Sequence, residues 1–147
     1  KYMFKHVANQ EARLAWKNST GGRKERMDYH ASPMAVFGYP EIASVGMTEK
    51  EGSESHDILT GVAEFSSVAR GYIMREQPGL VKAVVDKGSR RLLGFHVVGP
   101  HASLLIQEAV NVIANNEGVD FIIRGMHTFP SLSEIVLKPL LKMKEKG

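Results

Sequence analysis

The chain has 147 residues, 43% of them hydrophobic and 24% charged, with a net charge of +3 and no cysteine. That is ordinary globular composition, and it excludes a mainly disordered, fibrous or collagen-like chain. Without cysteine these residues hold no disulfide framework, thiolate nucleophile, dithiol redox pair or Cys-ligated zinc or iron–sulfur centre. No apolar run reaches the ~18 residues of a helical membrane span. The opening Lys1-Tyr2-Met3-Phe4-Lys5-His6 lacks the shape of a signal peptide. A cysteine-free chain suits a reducing compartment, so the expected location is cytoplasmic.

Phe4, Val7, Ala8, Ala12 and Ala15 recur at helical spacing and predict a helix over 4–16. Asn18 to Lys24 is polar, contains Gly21-Gly22 and reads as a linker. Short strands are expected at Met34–Phe37 and Ile42–Met47, separated by Gly38-Tyr39-Pro40. Thr48-Glu49-Lys50-Glu51 has the form of a helix start. Ile58–Phe65 is strand-like, 69–77 has no clear pattern, and Pro78-Gly79 reads as a turn. Leu80–Asp86 and Arg91–Val98, joined by Lys87-Gly88-Ser89-Arg90, make a hairpin by loop length. The second of these strands is apolar at Leu92, Leu93, Phe95, Val97 and Val98, which predicts a central strand covered on both faces. A helix follows over Ala102–Asn115, with Ala102, Leu105, Ala109, Val112 and Ile113 on one face and Gly118 as its stop. Shorter helices are expected at Asp120–Met126 and Ser131–Lys138, the last ended by Pro139. The order is that of an α+β domain, an antiparallel sheet covered by helices.

Charge and motif patterns restrict the chemistry. The basic excess sits in Arg23-Lys24-Glu25-Arg26 and at Lys138, Lys142, Lys144 and Lys146. No nucleic-acid-binding signature accompanies it, so it reads as solvated linker and helix-end charge, with no nucleic-acid partner. The six histidines lack HxH or HxxxH spacing, so no metal site is expected. Neither GxGxxG nor GxxxxGK occurs. His96, on a buried-type strand, reads as a hydrogen-bonded core or interface residue. In Met126-His127-Thr128-Phe129-Pro130-Ser131-Leu132-Ser133-Glu134, Ser131 and Glu134 have capping-box spacing. Capping and catalysis are both open for this segment on pattern alone.

Phe37-Gly38-Tyr39-Pro40-Glu41-Ile42-Ala43-Ser44-Val45-Gly46-Met47-Thr48-Glu49 resembles the opening strand motif of one enzyme domain. Gly79 to Asp86, Leu92 to Ala102 and Ile106-Gln107-Glu108-Ala109 continue the likeness in order, from about Ser32 to Leu141. The domain is the C-terminal dimerisation domain of the pyridine nucleotide-disulfide oxidoreductases. These flavoenzymes include dihydrolipoamide dehydrogenase, glutathione reductase and mercuric reductase. Phe4 to Glu11 looks like the last helix of the family's FAD domain, which would place Met3, Phe4 and Lys5 near the flavin.

The resemblance implies that residues 1–17 end an upstream FAD domain, 18–31 form a linker and 32–147 form the dimerisation domain. It implies a homodimer, with upstream domains of the same polypeptide holding FAD and NAD(P). This chain alone would be inactive and bind neither cofactor. The family motif His-x-His-Pro-Thr-x-x-Glu supplies an acid–base His, oriented by the Glu, to the partner's active site. Here the match is His127 to Glu134, and Phe129 occupies the acid–base position. The electron acceptor expected from this departure is a metal ion, as in the mercuric reductase branch, a quinone, or a disulfide handled differently. His127 is an alternative base, since i and i+2 share a face in an extended segment. Glu134 would keep its capping role or orient such a base. A free-standing dimeric interaction module without catalysis is the alternative of another class.

Overall fold

β-Branched and small apolar residues alternate along five segments, and each becomes a strand. These are β1 (Met34–Val36), β2 (Ile42–Gly46), β3 (Ile58–Glu64), β4 (Leu80–Asp86) and β5 (Leu92–Val98). The computed structural model describes residues 2–75 and 79–145. It joins these strands and a short β6 (Lys144–Glu145) into one antiparallel sheet of order β1-β2-β5-β4-β3-β6. Among the described residues six α-helices accompany the sheet: α1 (Lys5–Thr20), α2 (Glu49–Ser55), α3 (Ala69–Met74), α4 (Ala102–Ala114), α5 (Asp120–Ile123) and α6 (Glu134–Leu137). The expected α+β architecture is present. The turn foreseen at Pro78-Gly79 and the charge on Lys146 fall wholly or partly outside the described residues.

Period-two alternation sends Ala43, Val45, Val81, Ala83, Val85, Phe95 and Val97 to one face of the sheet. That face meets Ala102, Ile106, Ala109, Val112 and Ile113 of α4, with Ile122, Ile135 and Val136 beside them in one core. β5 is central, as its sequence suggests, between β2 and β4. Its second face is only half-covered: Leu93, His96 and Val98 are half-buried. The seven-residue α2 packs on that face, its Gly52 set against Val84 and Ile58. On that face the register pairs Ser44 with His96, and Ser44 Oγ donates to His96 Nδ1 at 2.6 Å while His96 Nε2 donates to Met47 O at 3.1 Å. Burial pushes the His96 imidazole down, against the opposing hydrogen bond to Met47.

The segment after α1 is tied down. It doubles back along the helix, with Asn18 and Glu25 exchanging two 2.9 Å hydrogen bonds and Tyr29 donating to Glu11 at 2.6 Å. His6 then donates to Pro33 O at 2.9 Å, and His30 reaches Ile113 O on α4 at 2.9 Å. α1 runs to Thr20, beyond the expected end at 16, because Ser19 and Thr20 turn their hydroxyls back onto Trp16 O.

Other boundaries also moved for local reasons. α4 stops through Asn116 in the left-handed conformation (φ 54°), not at Gly118. The amides of Asn116 and Glu117 close onto Ile113 O and Val112 O in a Schellman arrangement. α5 ends at Ile123 and α6 begins only at Glu134. The Ser131 hydroxyl accepts from the Ser133 amide at 3.0 Å, so the forward half of the expected capping box is missing. Its return half survives as a 3.4 Å contact from the Ser131 amide to the Glu134 carboxylate. A complete box forms instead at Thr48, which accepts from Glu51 N at 3.2 Å and donates its own amide to the Glu51 carboxylate at 2.9 Å.

The start of α4 has no cap of its own, since His101 is left-handed (φ 57°) and its side chain makes no cap bond. Glu41, just before β2, supplies one: its carboxylate accepts from Ser103 N at 3.0 Å and Ser103 Oγ at 2.8 Å. The Ser103 amide, then its hydroxyl, hold the Glu41 carboxyl below the usual range, where the positive end of the α4 dipole also favours it.

Two expectations follow. Thr48→Ala should cost about 1 kcal/mol in urea melts, the usual loss for an N-cap. Because the Glu41 carboxyl is lowered in the folded state, its contribution is complete above its unfolded value of about 4.3 and is lost as pH falls through the folded value. The stability gap between the wild type and Glu41→Gln, read by urea melts across pH, should therefore close on acidification below about pH 4.

Candidate functional site

Two parts of the surface hold the residues singled out by the sequence. The first is the start of α1. α1, the returning segment and α4 border an open cleft of about 1080 Å³, lined by Phe4 and Lys5 at its mouth and by Val7, Ile106 and Val110 deeper in. Phe4 stacks on the ring of His6 at 5.5 Å. Met3 stands outside the cleft, wholly in solvent, and no side chain caps the helix start.

The second is the loop between α5 and α6. It carries Met126, fully exposed, and Phe129, 72% exposed, and the Phe129–Pro130 peptide is cis. His127 turns the other way, its side chain only 8% exposed. One ring nitrogen, Nδ1, donates to Gly125 O at 3.2 Å, and the other, Nε2, lies 3.3 Å from Glu108 Oε1 on α4. The expectation that positions 127 and 129 share a face is thus corrected. α4 lies along one side of the loop and draws the imidazole inward, while the phenyl ring points out. Glu134 opens α6, half-buried, with its carboxylate turned back to the Ser131 amide.

Around this loop lies a run of exposed apolar side chains. Leu104 on α4 is 71% exposed and Phe121 on α5 is 67% exposed, joining Met126 and Phe129. The sequence shows these residues to be apolar. It missed the Glu41–Ser103 cap and the His127–Glu108 pair, which join residues 62 and 19 positions apart and carry no local signal. Among the described residues no group of three His, Asp or Glu could hold a metal ion, and no helix is long and apolar enough to cross a membrane.

The family model described as "Pyridine nucleotide-disulphide oxidoreductase, dimerisation domain" matches residues 32–139. Mycothione reductase of Mycobacterium tuberculosis is 35% identical over 150 residues, which cover 97% of this chain and 33% of the relative. Dihydrolipoyl dehydrogenase of Synechocystis sp. is 36% identical over 141 residues, covering 92% of this chain and 30% of the relative. The chain therefore spans about a third of the length of these curated relatives. Among solved structures, LpdA from Mycobacterium tuberculosis superposes with a TM-score of 0.85 at 25% identity, covering 92% of this chain and 30% of LpdA. The Cu(II) complex of RclA from Escherichia coli, an HOCl-induced flavoprotein disulfide reductase, superposes with a TM-score of 0.85 at 25% identity, covering 97% of this chain and 33% of RclA. Strands β1 to β5, α4 and the loop bearing Phe129 all fall within the matched residues, and the chain belongs to the dimerisation domains of the pyridine nucleotide-disulfide oxidoreductases.

Proposed function

We propose that this chain is the dimer-forming C-terminal part of an FAD- and NAD(P)-dependent oxidoreductase, and that its 124–131 loop enters the partner subunit's active site. The observation that carries the reading is the exposed apolar surface of Leu104, Phe121, Met126 and Phe129 on a domain of a dimerisation family. Surfaces of this kind need cover in water, and a second copy provides it.

The residues near the flavin in this reading are Met3, Phe4 and Lys5. They fit that place in one respect: the start of α1 has no cap from the chain itself, and Met3 makes no packing contact that would be lost. FAD, held mainly by the upstream domains, would supply the two-electron relay from the nicotinamide. This chain's part is to close one wall of the site.

Phe129 supplies that wall with an apolar ring and cannot carry a proton. Glu134 then serves the Ser131 amide rather than a base. An acceptor that needs no positioned acid–base, such as a metal ion or a quinone, suits the site better than a small thiol. The copper-bound RclA among the structural neighbours accords with this.

The isolated chain should be a dimer at tens of micromolar by light scattering and should carry no flavin absorbance after gel filtration. A monomer, or retained flavin, would count against the reading. The full polypeptide should be reduced by a nicotinamide cofactor at an ordinary rate. It should be slow with dihydrolipoamide or glutathione disulfide, by the roughly 10²–10⁴-fold that a positioned acid–base contributes. Phe129→His should recover part of that rate, and Phe129→His/Glu134→Ala should lose the gain. Wild-type turnover of dihydrolipoamide at ordinary dehydrogenase rates would overturn the assignment of Phe129.

A further inference from the structure

We infer that His127 and Glu108 form a latch between the 124–131 loop and α4, which makes His127 a positioning residue that aims Phe129 and not a substitute base. The inference rests on the reading above for what the loop does, but the latch itself stands on geometry. A histidine ring with 8% of its side chain exposed, between a fully exposed Met126 and a 72% exposed Phe129, has been taken out of water at a cost. Something must offset that cost.

Both ring nitrogens face acceptors. Gly125 O lies 3.2 Å from Nδ1 and Glu108 Oε1 lies 3.3 Å from Nε2. Nε2 is closed to water and makes no hydrogen bond, although Glu108 Oε1 stands 3.3 Å from it. Glu108 is 38% exposed and has no other hydrogen bond or ion pair among the described residues, so its carboxylate is free to rotate onto Nε2. With Nδ1 on Gly125 O and Nε2 beside Glu108, both nitrogens are turned to acceptors within the domain and away from the exposed Phe129.

The latch also has no competitor. Among the described residues, the His127 side chain makes the one hydrogen bond and the one close approach to a carboxylate that come from residues 126–130. Its other end is rigid. Ile106, Ala109 and Val112 bury α4 on both sides of Glu108, and Glu41 caps that helix. Leu104 lies one turn from Glu108 on the same helical face, which sets the latch beside the exposed apolar surface.

NMR on the 147-residue chain tests the latch without any activity. The wild type should show a slowly exchanging His127 Nε2–H signal and rigid-backbone heteronuclear NOEs at Thr128 and Phe129. Glu108→Ala and His127→Ala should each lose that signal and drop those NOEs toward values of free segments, and the double variant should drop them no further. Glu108→Gln, whose amide oxygen still accepts, should keep the loop ordered. Unchanged NOEs in Glu108→Ala, or an additive loss in the double variant, would overturn the latch. In the full flavoenzyme, adding Glu108→Ala to Phe129→His should remove most of the gain in kcat with KM unchanged, and a gain that persists would overturn the positioning role. If Phe129→His gains nothing at all, the reading of the loop as part of the partner's site fails, while the NMR result still decides the latch.

Discussion

The burial of α4 against the centre of the sheet is the contact on which the rest of this structure depends. Phe95 and Val97 of β5, Ala43 and Val45 of β2, and Ala102, Ile106, Ala109 and Val112 of α4 are all withdrawn from water. Each large side chain among them contributes roughly 1.5–3 kcal/mol relative to exposure. The alanines at 43, 102 and 109 let helix and sheet approach closely. Once α4 lies there, its other groups have fixed addresses: Leu104 in the apolar surface, Glu108 at the loop, and the backbone carbonyl of Ile113 within reach of His30. The helix is thus the reference frame for both candidate regions.

Polar groups then lock what burial has placed. Glu41 reaches across to cap α4. Asp86 closes the β4–β5 turn by accepting from the Ser89 hydroxyl at 2.6 Å and amide at 2.7 Å, with His56 Nδ1 at 3.2 Å. Those Ser89 bonds, with His56 behind them, hold the Asp86 carboxyl below its ordinary range. Close backbone approach does the same work without charge. A Cβ at Gly61 would stand 1.9 Å from Pro139 O, and one at Gly94 would stand 1.9 Å from Met47 O. Only glycine lets the C-terminal segment and the β2 end press so near the strands.

The result is a scaffold whose chemistry lies mostly in what it presents. An α+β domain of this family shapes a surface and a loop, and in this chain the loop presents the phenyl ring of Phe129 to solvent. The nearby titratable groups are committed to structure: Glu134 to a backbone amide, and His127 to Gly125 and α4. A site so arranged offers shape and apolarity to whatever approaches it.

Much of this was legible in the sequence because it is written in local pattern. Period-two alternation placed β4 and β5, helical spacing placed α4, and the ordered motifs between Ser32 and Leu141 carried the family. That a phenylalanine stands at position 129 is a fact of the sequence alone. What tertiary structure decided were pairings between residues far apart in the chain. Ser131 was free to choose between two amides three bonds of turn apart, and the fold gave it Ser133. The tail at Lys144–Glu145 has no strand pattern, yet an open edge of β3 recruits it. The direction of His127 is the clearest case. Spacing set it on the same side as Phe129, but a loop has no regular period of its own, and the helix packed along one side of it decides which ring is buried and which is shown.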